Sequence, residues 1–500
     1  MGMSKRRFIQ SVSAVTALAA AGAKAADGRK HYDLLIVGAG TAGIPAAIFA
    51  AARGASVLVV EVAPVIGGTL LLSSAQICAA GTRVQRQMGI VDSPEEHLQD
   101  LMRISRGTID PTIARLVTDN AADTIDWLME KGYELLPGYP VHGIAHEPYS
   151  KPRYYWSAGR GIAILEVMRP MFMEAVSAGK VDLLLERRAV EIQTEASGAV
   201  SAVLVADSGG KHNAWRARNV LLASGGYASN PRMYQQFSGL PKFLDGSYQF
   251  AQGDGIGLAK SVGGYVRNAD KFLTNFGVVL ATTKIPSTRL ANTVFHPQLR
   301  QPWEIYVNAD GRRFVREDVP SVDAREQALR FQPGRRHWVL FDQAVLDRAP
   351  PILEGWSREE LEYAFRMADP SFYSGDTIEE LARATGLPPA TLAATVEGYN
   401  YGVHTGNDFF GRRHMPIKLQ KAPFYAIRHQ GTSIPSTAGI AVNDRLQVVR
   451  RDGSAVPNLY AAGEILGAGA TQGQAFCGGM MVTPALTFGR LLGERLIRLA

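Results

Sequence analysis

Residues 31–61 read HYDLLIVGAGTAGIPAAIFAAARGASVLVVE. A short apolar strand, Leu34 to Val37, runs straight into Gly38-Ala39-Gly40-Thr41-Ala42-Gly43. An Ala-rich helix follows, and a second apolar strand, 56–60, ends at Glu61. The glycines have separate duties in this order: Gly38 allows the tight turn, Gly40 lets the backbone approach a pyrophosphate, and Gly43 lets helix pack closely on strand. The helix N-terminus, at Thr41 and Ala42, offers free N–H groups and a positive dipole end to phosphates. Glu61, at the tip of the second strand, accepts hydrogen bonds from an adenosine ribose. A G-x-G-x-x-G alone is weak evidence, but with strand, helix and acid all in place it predicts a dinucleotide site. A ligand-free Gly-rich βα turn is the lesser alternative.

The neighbouring sequence favours FAD over NAD. Gly67-Gly68-Thr69 follows just beyond Glu61 and suits a loop folding back over the pyrophosphate. Val220 to Gly226 reads as a strand ending in small residues, with Ala223, Ser224 and Gly225 passing close to the cofactor. The turn Tyr460-Ala461-Ala462-Gly463-Glu464 points the same way. No second G-x-G-x-x-G follows a later strand, so a second Rossmann domain for NAD(P)H is not expected. Electrons are therefore expected to pass through an external donor or acceptor, such as a quinone, cytochrome or other carrier.

The first 25 residues read as an export signal. Met1 to Arg7 is basic, Ser11 to Gly22 is small and apolar, and Ala23-Lys24-Ala25 resembles a cleavage site. Ser4-Lys5-Arg6-Arg7-Phe8-Ile9 resembles a twin-arginine motif, and a periplasmic or otherwise exported location follows as the expectation. The chain carries +7. Four of its 53 basic residues (Lys5, Arg6, Arg7 and Lys24) lie in the signal, leaving 49 against 46 acidic residues. That near-balance excludes nucleic-acid binding as a reading of the charge. With 46% apolar residues, 500 residues bury a large core and suggest two domains. No later segment reads as a membrane span. Cys78 and Cys477 form no haem, zinc or iron–sulfur motif, so no metal is expected; two buried free thiols are preferred over a disulfide.

The expected fold class is α/β: a Rossmann-like FAD-binding domain with an inserted α+β cap domain. Residues 26–280 form the first part of the FAD-binding domain, 281–424 the cap or substrate domain, and 425–500 the C-terminal part. Residues 95–132 show helical spacing, and a loop rich in Pro, Gly, Tyr and His spans 137–161. A helix is expected from Ile162 to Ala178, then strands near 181–186, 189–194, 199–206 and 219–223. In the cap, helices are expected at 343–348, 357–366, 376–385 and 389–402. A strand at 445–450 and a helix from Pro484 to Leu499 close the chain.

Taken together, these pieces resemble the FAD-dependent fumarate reductase and 3-ketosteroid dehydrogenase flavoproteins. The most specific are the N-terminal fingerprint, Ala223 to Tyr227, Gly253 to Ala259, Tyr306 to Glu317, Tyr460 to Glu464 and Pro484 to Arg490. The resemblance implies an active site between FAD domain and cap. There, hydride passes between flavin N5 and a carbon near an activating carbonyl, and a protein group handles the proton. It also places Asp254, Gly479, Met480 and Val482 at the cofactor. No His occurs between Gly67 and Gly81, so FAD is expected to be non-covalent.

Departures from the family pattern narrow the substrate. The carboxylate-binding His of fumarate reductases falls on Ser436 and the Arg on Phe476, which removes a charge-assisted pair and adds an apolar wall. Against the ketosteroid dehydrogenases, Gly479 matches the glycine that polarises the keto group, while the two tyrosine positions fall on Ala475 and Ser321. Catalytic candidates are Arg316, Glu317, Tyr306 and Gly479; substrate candidates are Trp303, Ser321, Gln474 and Phe476. A surface salt bridge is an equal reading of Arg316 and Glu317, and strand core of Tyr306. His429 is a further candidate acid, and Thr471 and Gln472 lie in the loop expected over the flavin. The leading expectation is an exported FAD-dependent dehydrogenase or ene-reductase acting on CH–CH groups of a small ketosteroid-like or aromatic enone. The alternatives are a reductase of an unsaturated carboxylate, using Arg289, Arg300 or Arg316, and an electron-transfer flavoprotein without its own substrate.

Overall fold

The computed structural model describes residues 31–144, 146–367 and 370–498. The export signal lies outside the described residues. Among those described, no helix is long and apolar enough to cross a membrane.

The quoted stretch forms the centre of the main sheet. Strand β1 (His31–Val37) pairs in parallel with β2 (Val57–Val60), Ile36 opposite Val59. Beyond β2 lies β3 (Val181–Leu184), also parallel. Strands β4 (Arg188–Thr194), β5 (Val200–Ala206) and β6 (His212–Leu222) form an antiparallel meander. The second half of β6 turns parallel to β1 and brings Leu221 opposite Ile36. The order across the sheet is completed on the far side of β6 by strand Ala455–Ala461 and its antiparallel neighbour Gln447–Val449. Leu34, Leu35 and Ile36 are fully buried, as expected of a central parallel strand covered on both faces.

Helix α1 (Gly43–Ala52) covers one face, and the closing helix Val482–Leu491 packs on it. Small residues make the approach possible: a Cβ on Gly489 would stand 2.1 Å from the Ala42 carbonyl oxygen. That helix ends at Leu491, followed by one wider turn through Leu496; the expected helix end at 499 lies outside the described residues.

The second core, from Phe276 to Ile427, surrounds an antiparallel sheet. Its strands are β7 (Ile305–Asn308), β8 (Arg336–Asp342), β9 (Phe372–Gly375) and β10 (Phe424–Gln430), ordered β7-β8-β10-β9. Helices lie around it at Gln343–Arg348, Arg358–Arg366, Ile378–Thr385 and Pro389–Thr405, close to the expected ranges. The cap sheet runs past residue 424. β10 pairs with β8 along its whole length, Phe424 opposite Asp342 to Gln430 opposite Arg336, so the chain stays in the cap sheet until Gln430.

The cap helix Val322–Arg330, here α2, faces the FAD domain. Asp323 accepts from the Glu147 amide at 2.6 Å, the Gln327 side chain donates to the Gln474 carbonyl, and Arg330 donates to the Asp270 carbonyl at 2.6 Å. The loop carrying Glu147 is itself pinned by Arg153, which is fully buried. Its guanidinium reaches Asp92 at 2.7 Å and Asp100 at 2.8 Å, and Asp100 also accepts from the Ser150 amide at 2.7 Å.

Candidate active site

The carboxyl ends of the parallel strands open onto a cavity of about 560 Å³, the place where ligands bind in open α/β sheets. At the fingerprint turn, Gly38 has φ +108°, and a Cβ there would lie 2.4 Å from the Ala223 carbonyl oxygen. Gly43 packs against the same turn: a Cβ on it would lie 1.9 Å from the Gly38 oxygen. Glu61 is buried and ties the turn together, accepting from the Ala39 amide at 2.7 Å and the Ala63 amide at 2.8 Å. Burial outweighs these bonds and raises the Glu61 carboxyl above its ordinary value.

Most of the expected cofactor residues line this cavity: Gly38, Gly40, Thr41, Ala42, Glu61, Gly68, Thr69, Ala223, Ser224, Gly225, Asp254, Gly463, Glu464, Gly479 and Val482. Gly43, Gly67 and Met480 do not. Gly43 serves helix packing, and the Gly67 amide donates to the Ala39 carbonyl at 2.8 Å. Met480 is buried while its neighbour Met481 lines the cavity. Arg187 and Arg188, missed in the sequence, stand at the Glu61 end, where Arg188 pairs with Asp254. Four polar atoms of cavity-lining residues are buried without a partner among the described residues: Ser224 Oγ, Tyr248 Oη, Thr432 Oγ1 and Gln472 Nε2. A glycine cradle at a helix N-terminus, a buried acid and orphaned polar atoms along an elongated cavity fit FAD.

The opposite end is lined by His146, Asn275, Glu326, Thr432, Gln472 and Phe476, together with Cys477 and Gly479. The His146 ring stacks on Phe476 with centroids 4.1 Å apart. Its Nδ1 lies 3.0 Å from Asp323 Oδ1 and 4.0 Å from Glu326 Oε2. Burial alone would lower the imidazolium, but the Asp323 hydrogen bond and the two carboxylate charges hold it above the ordinary histidine value. Burial pushes the Glu326 carboxyl up to about 8. Neither His146 nor Glu326 was singled out in the sequence. The His-bearing loop was visible, but its meeting with a helix some 177 positions away was not.

The catalytic candidates Arg316, Glu317 and Tyr306 are placed away from the cavity. Glu317 is fully buried and held by Arg313 at 2.6 Å and Arg412 at 3.5 Å, inside the cap. Arg316 pairs with Asp318 at 2.6 Å. Tyr306 lies in an aromatic cluster with Phe276 and Phe295. None of the three lines the cavity; long apolar and ionic runs in a strand–turn segment satisfied one another rather than a ligand.

Among the substrate candidates, only Phe476 reaches the cavity. Ser321 caps α2, accepting from the Ala324 amide at 3.4 Å. Trp303 packs near His414 and Arg348. Gln474 accepts Gln327 through its carbonyl and turns away, so Gln472 is the glutamine of that loop at the site. His429 is stacked on His337 inside the cap, its imidazolium pushed down to about 4 by burial. Ser436 Oγ accepts from the Tyr227 amide at 2.7 Å, and a Cβ on Gly226 would come within 2.0 Å of that oxygen. A histidine side chain has no room there.

Both cysteines are free and buried. Burial raises the Cys78 thiol to about 11 and the Cys477 thiol well above its ordinary value. Both therefore stay protonated at neutral pH, and the thiolate is the reactive form. Ellman's reagent added to native holoenzyme is expected to find no fast-reacting thiol, and two after denaturation; a fast native thiol contradicts this placement.

This fold and cavity define a flavoprotein of the CH–CH oxidoreductase class. The family model described as "FAD binding domain" matches residues 33–480, and the chain belongs to that family, with the fumarate reductase and 3-ketosteroid dehydrogenase flavoproteins. It is 29% identical to the probable fumarate reductase Ifc3 of Shewanella frigidimarina (strain NCIMB 400), over 92% of this chain and 74% of that protein. It is 25% identical to the 3-oxosteroid 1-dehydrogenase of Mycobacterium tuberculosis (strain ATCC 25618 / H37Rv), over 92% of this chain and 97% of the other. The open conformation of a flavocytochrome c3 fumarate reductase superposes with a TM-score of 0.67 at 26% identity, covering 99% of this chain and 81% of that one. The protein is thus an FAD-dependent oxidoreductase, with an α/β FAD-binding fold.

Proposed function

We propose that this oxidoreductase is exported and acts on a C–C/C=C bond adjacent to a carbonyl in a substrate of low charge, an aromatic or ketosteroid-like enone. Bound FAD supplies two-electron hydride exchange. Export rests on the basic and apolar pattern of residues 1–25, and the electron partner is proposed to be an external carrier. One observation carries the substrate reading. The cavity end holding Phe476 and His146 has no Lys or Arg among its described lining residues, whereas Arg187 and Arg188 stand at the Glu61 end. Phe476 offers a flat apolar wall, and the Gly479 backbone in the same lining is the proposed polarising group for the carbonyl oxygen.

Reduction of an unsaturated carboxylate is the alternative, supported by the fumarate reductase relatives. It needs a cation, and the three arginines suggested for it are engaged elsewhere. Arg300 grips Glu304 at 2.8 Å, Arg316 holds Asp318 at 2.6 Å, and Arg289 donates to Asn292 at 3.0 Å. The test is an anaerobic acceptor screen with dithionite-reduced holoenzyme, comparing benzylideneacetone with fumarate and urocanate. Saturated ketosteroids are mixed with the oxidised form in parallel.

Phe476→Arg places a guanidinium against the His146 ring. It is expected to lower kcat/KM for benzylideneacetone by roughly tenfold to a hundredfold, the range for losing one pocket contact of ~1–3 kcal/mol. Unchanged kcat/KM would remove Phe476 from the substrate wall.

A further inference from the structure

The pairing of His146 with two carboxylates from the facing domain is unexplained by cofactor binding. The loop 137–161 supplies the imidazole, and α2 of the cap supplies both acids. His146 Nδ1 stands 3.0 Å from Asp323 and 4.0 Å from Glu326, and no hydrogen bond engages Nε2 among the described residues. Asp323 is fixed by a second bond from the Glu147 amide at 2.6 Å. The ring stacks on Phe476, so its plane is set on a third side. Both His146 and Glu326 line the cavity, next to Gln472 and Asn275. An imidazole oriented at one nitrogen, with the other left for a ligand, has the geometry of a proton donor or acceptor.

We propose that His146 carries the proton of the reaction, through Nε2, to or from the substrate carbon next to the one exchanging hydride. Asp323 and Glu326 act as positioning residues on Nδ1. The proposal rests on the CH–CH reading above. In the reducing direction, the carbon β to the carbonyl gains hydride, which brings both electrons. The π pair of the C=C bond moves onto the α carbon and its carbonyl, and the His146 imidazolium gives its Nε2 proton to the α carbon. The imidazole left behind is reprotonated from solvent, to which the ring is partly open, with Glu326 as an adjacent proton store. The oxidising direction runs the same transfers backwards.

Other charged groups also bear on the ring. Asp323 and Glu326 favour the imidazolium, as the raised His146 value reflects. His296 faces it from the segment before Arg300, and burial with the nearby Arg325 charge holds that imidazole below its ordinary value. Arg325 is itself fully buried on the Glu317 and Val319 carbonyls at 3.1 and 2.8 Å. Asp323 and Glu326 raise the ring's value, and burial is what opposes them.

The test uses wild type, H146Q, D323N and E326Q holoenzymes. Each is reduced with dithionite and mixed anaerobically with benzylideneacetone across pH, while FAD content is measured in the same samples. Histidine ring-nitrogen NMR of the oxidised holoenzyme reads the His146 charge directly, with H146Q giving the assignment. H146Q is expected to slow reoxidation by roughly a hundredfold or more with full FAD content, within the range for general acid catalysis. The wild-type rate is expected to fall as pH rises through the His146 value, and D323N to move that fall to lower pH. If only fumarate or urocanate reoxidises wild type, the enone reading fails and the variants are read with that acceptor. H146Q reacting at the wild-type rate with the working acceptor overturns the proposal, as does a loss that merely follows loss of FAD. If no acceptor works, the NMR titration decides: a His146 value that D323N leaves unchanged is against it.

Discussion

Gly43→Val is expected to yield a protein that does not retain FAD. The Cβ of any residue at 43 would stand 1.9 Å from the Gly38 carbonyl oxygen and 3.0 Å from its carbon. Both are backbone atoms of the turn proposed to cradle the phosphates, so no side-chain rotation relieves the clash. Helix α1 must move away from β1, and Val adds two further carbons in a place where α1 is already buried by the closing helix. Overpacking of this kind costs about 3 kcal/mol or more. If half of that falls on the bound state, FAD affinity drops roughly tenfold. If all of it does, the loss exceeds roughly a hundredfold and the purified protein is colourless. The measurement is the FAD-to-protein ratio after gel filtration, with a melting curve on the same sample. Gly257→Ala is the control, because nothing lies within 4 Å of a Cβ there. Full FAD retention by Gly43→Val would contradict the packing described.

Arg153→Met is expected to be the most destabilising single change to the loop that presents His146. The guanidinium is fully buried between Asp92 and Asp100, whose side chains are 0% and 5% exposed. Methionine fills much of the volume but leaves Asp92 without its cation and Asp100 with Arg103 alone. Breaking a buried pair by removing one partner costs about 3–5 kcal/mol, because the remaining charge stays buried. The pH dependence has a definite sign. Burial would raise the Asp100 carboxyl, but hydrogen bonds from Ser150 and Arg103, with the Arg153 charge, hold it below the usual aspartate value. Its contribution is present above the unfolded value, near about pH 4, and is lost as pH falls through the lower folded value. The gap in melting temperature between wild type and Arg153→Met should therefore be widest near neutrality and shrink in acid. An equal gap at all pH values would show that packing, not charge, is the role of Arg153.

The flavin half of the molecule was legible because its constraints are local. Gly38, Gly40 and Gly43 are needed within six consecutive positions, and Glu61 closes the same turn by accepting the Ala39 amide. The apolar run of β1 shows burial on both faces. The cap was legible as helices by their starts and spacing. Its extent was not, because β10 joins the cap sheet by pairing with β8, a long-range register that no local pattern announces. The catalytic candidates of the cap segment lie away from the cavity for a related reason. Glu317 and Arg316 have the right chemistry, but Arg313, Arg412 and Asp318 neutralise them within the cap. His146 sits in a loop whose composition gave no role to any one residue. Only the meeting of that loop with α2 and Phe476 singles it out.

The site is proposed to take a conjugated carbonyl of low charge. The most direct measurement is anaerobic stopped-flow reoxidation of the dithionite-reduced wild-type holoenzyme, with benzylideneacetone and fumarate in separate syringes at equal concentration. Rapid return of the oxidised flavin spectrum is expected with benzylideneacetone, and slow or no return with fumarate. Rapid reoxidation by fumarate, with benzylideneacetone inert, would contradict this reading and assign the site to unsaturated carboxylates.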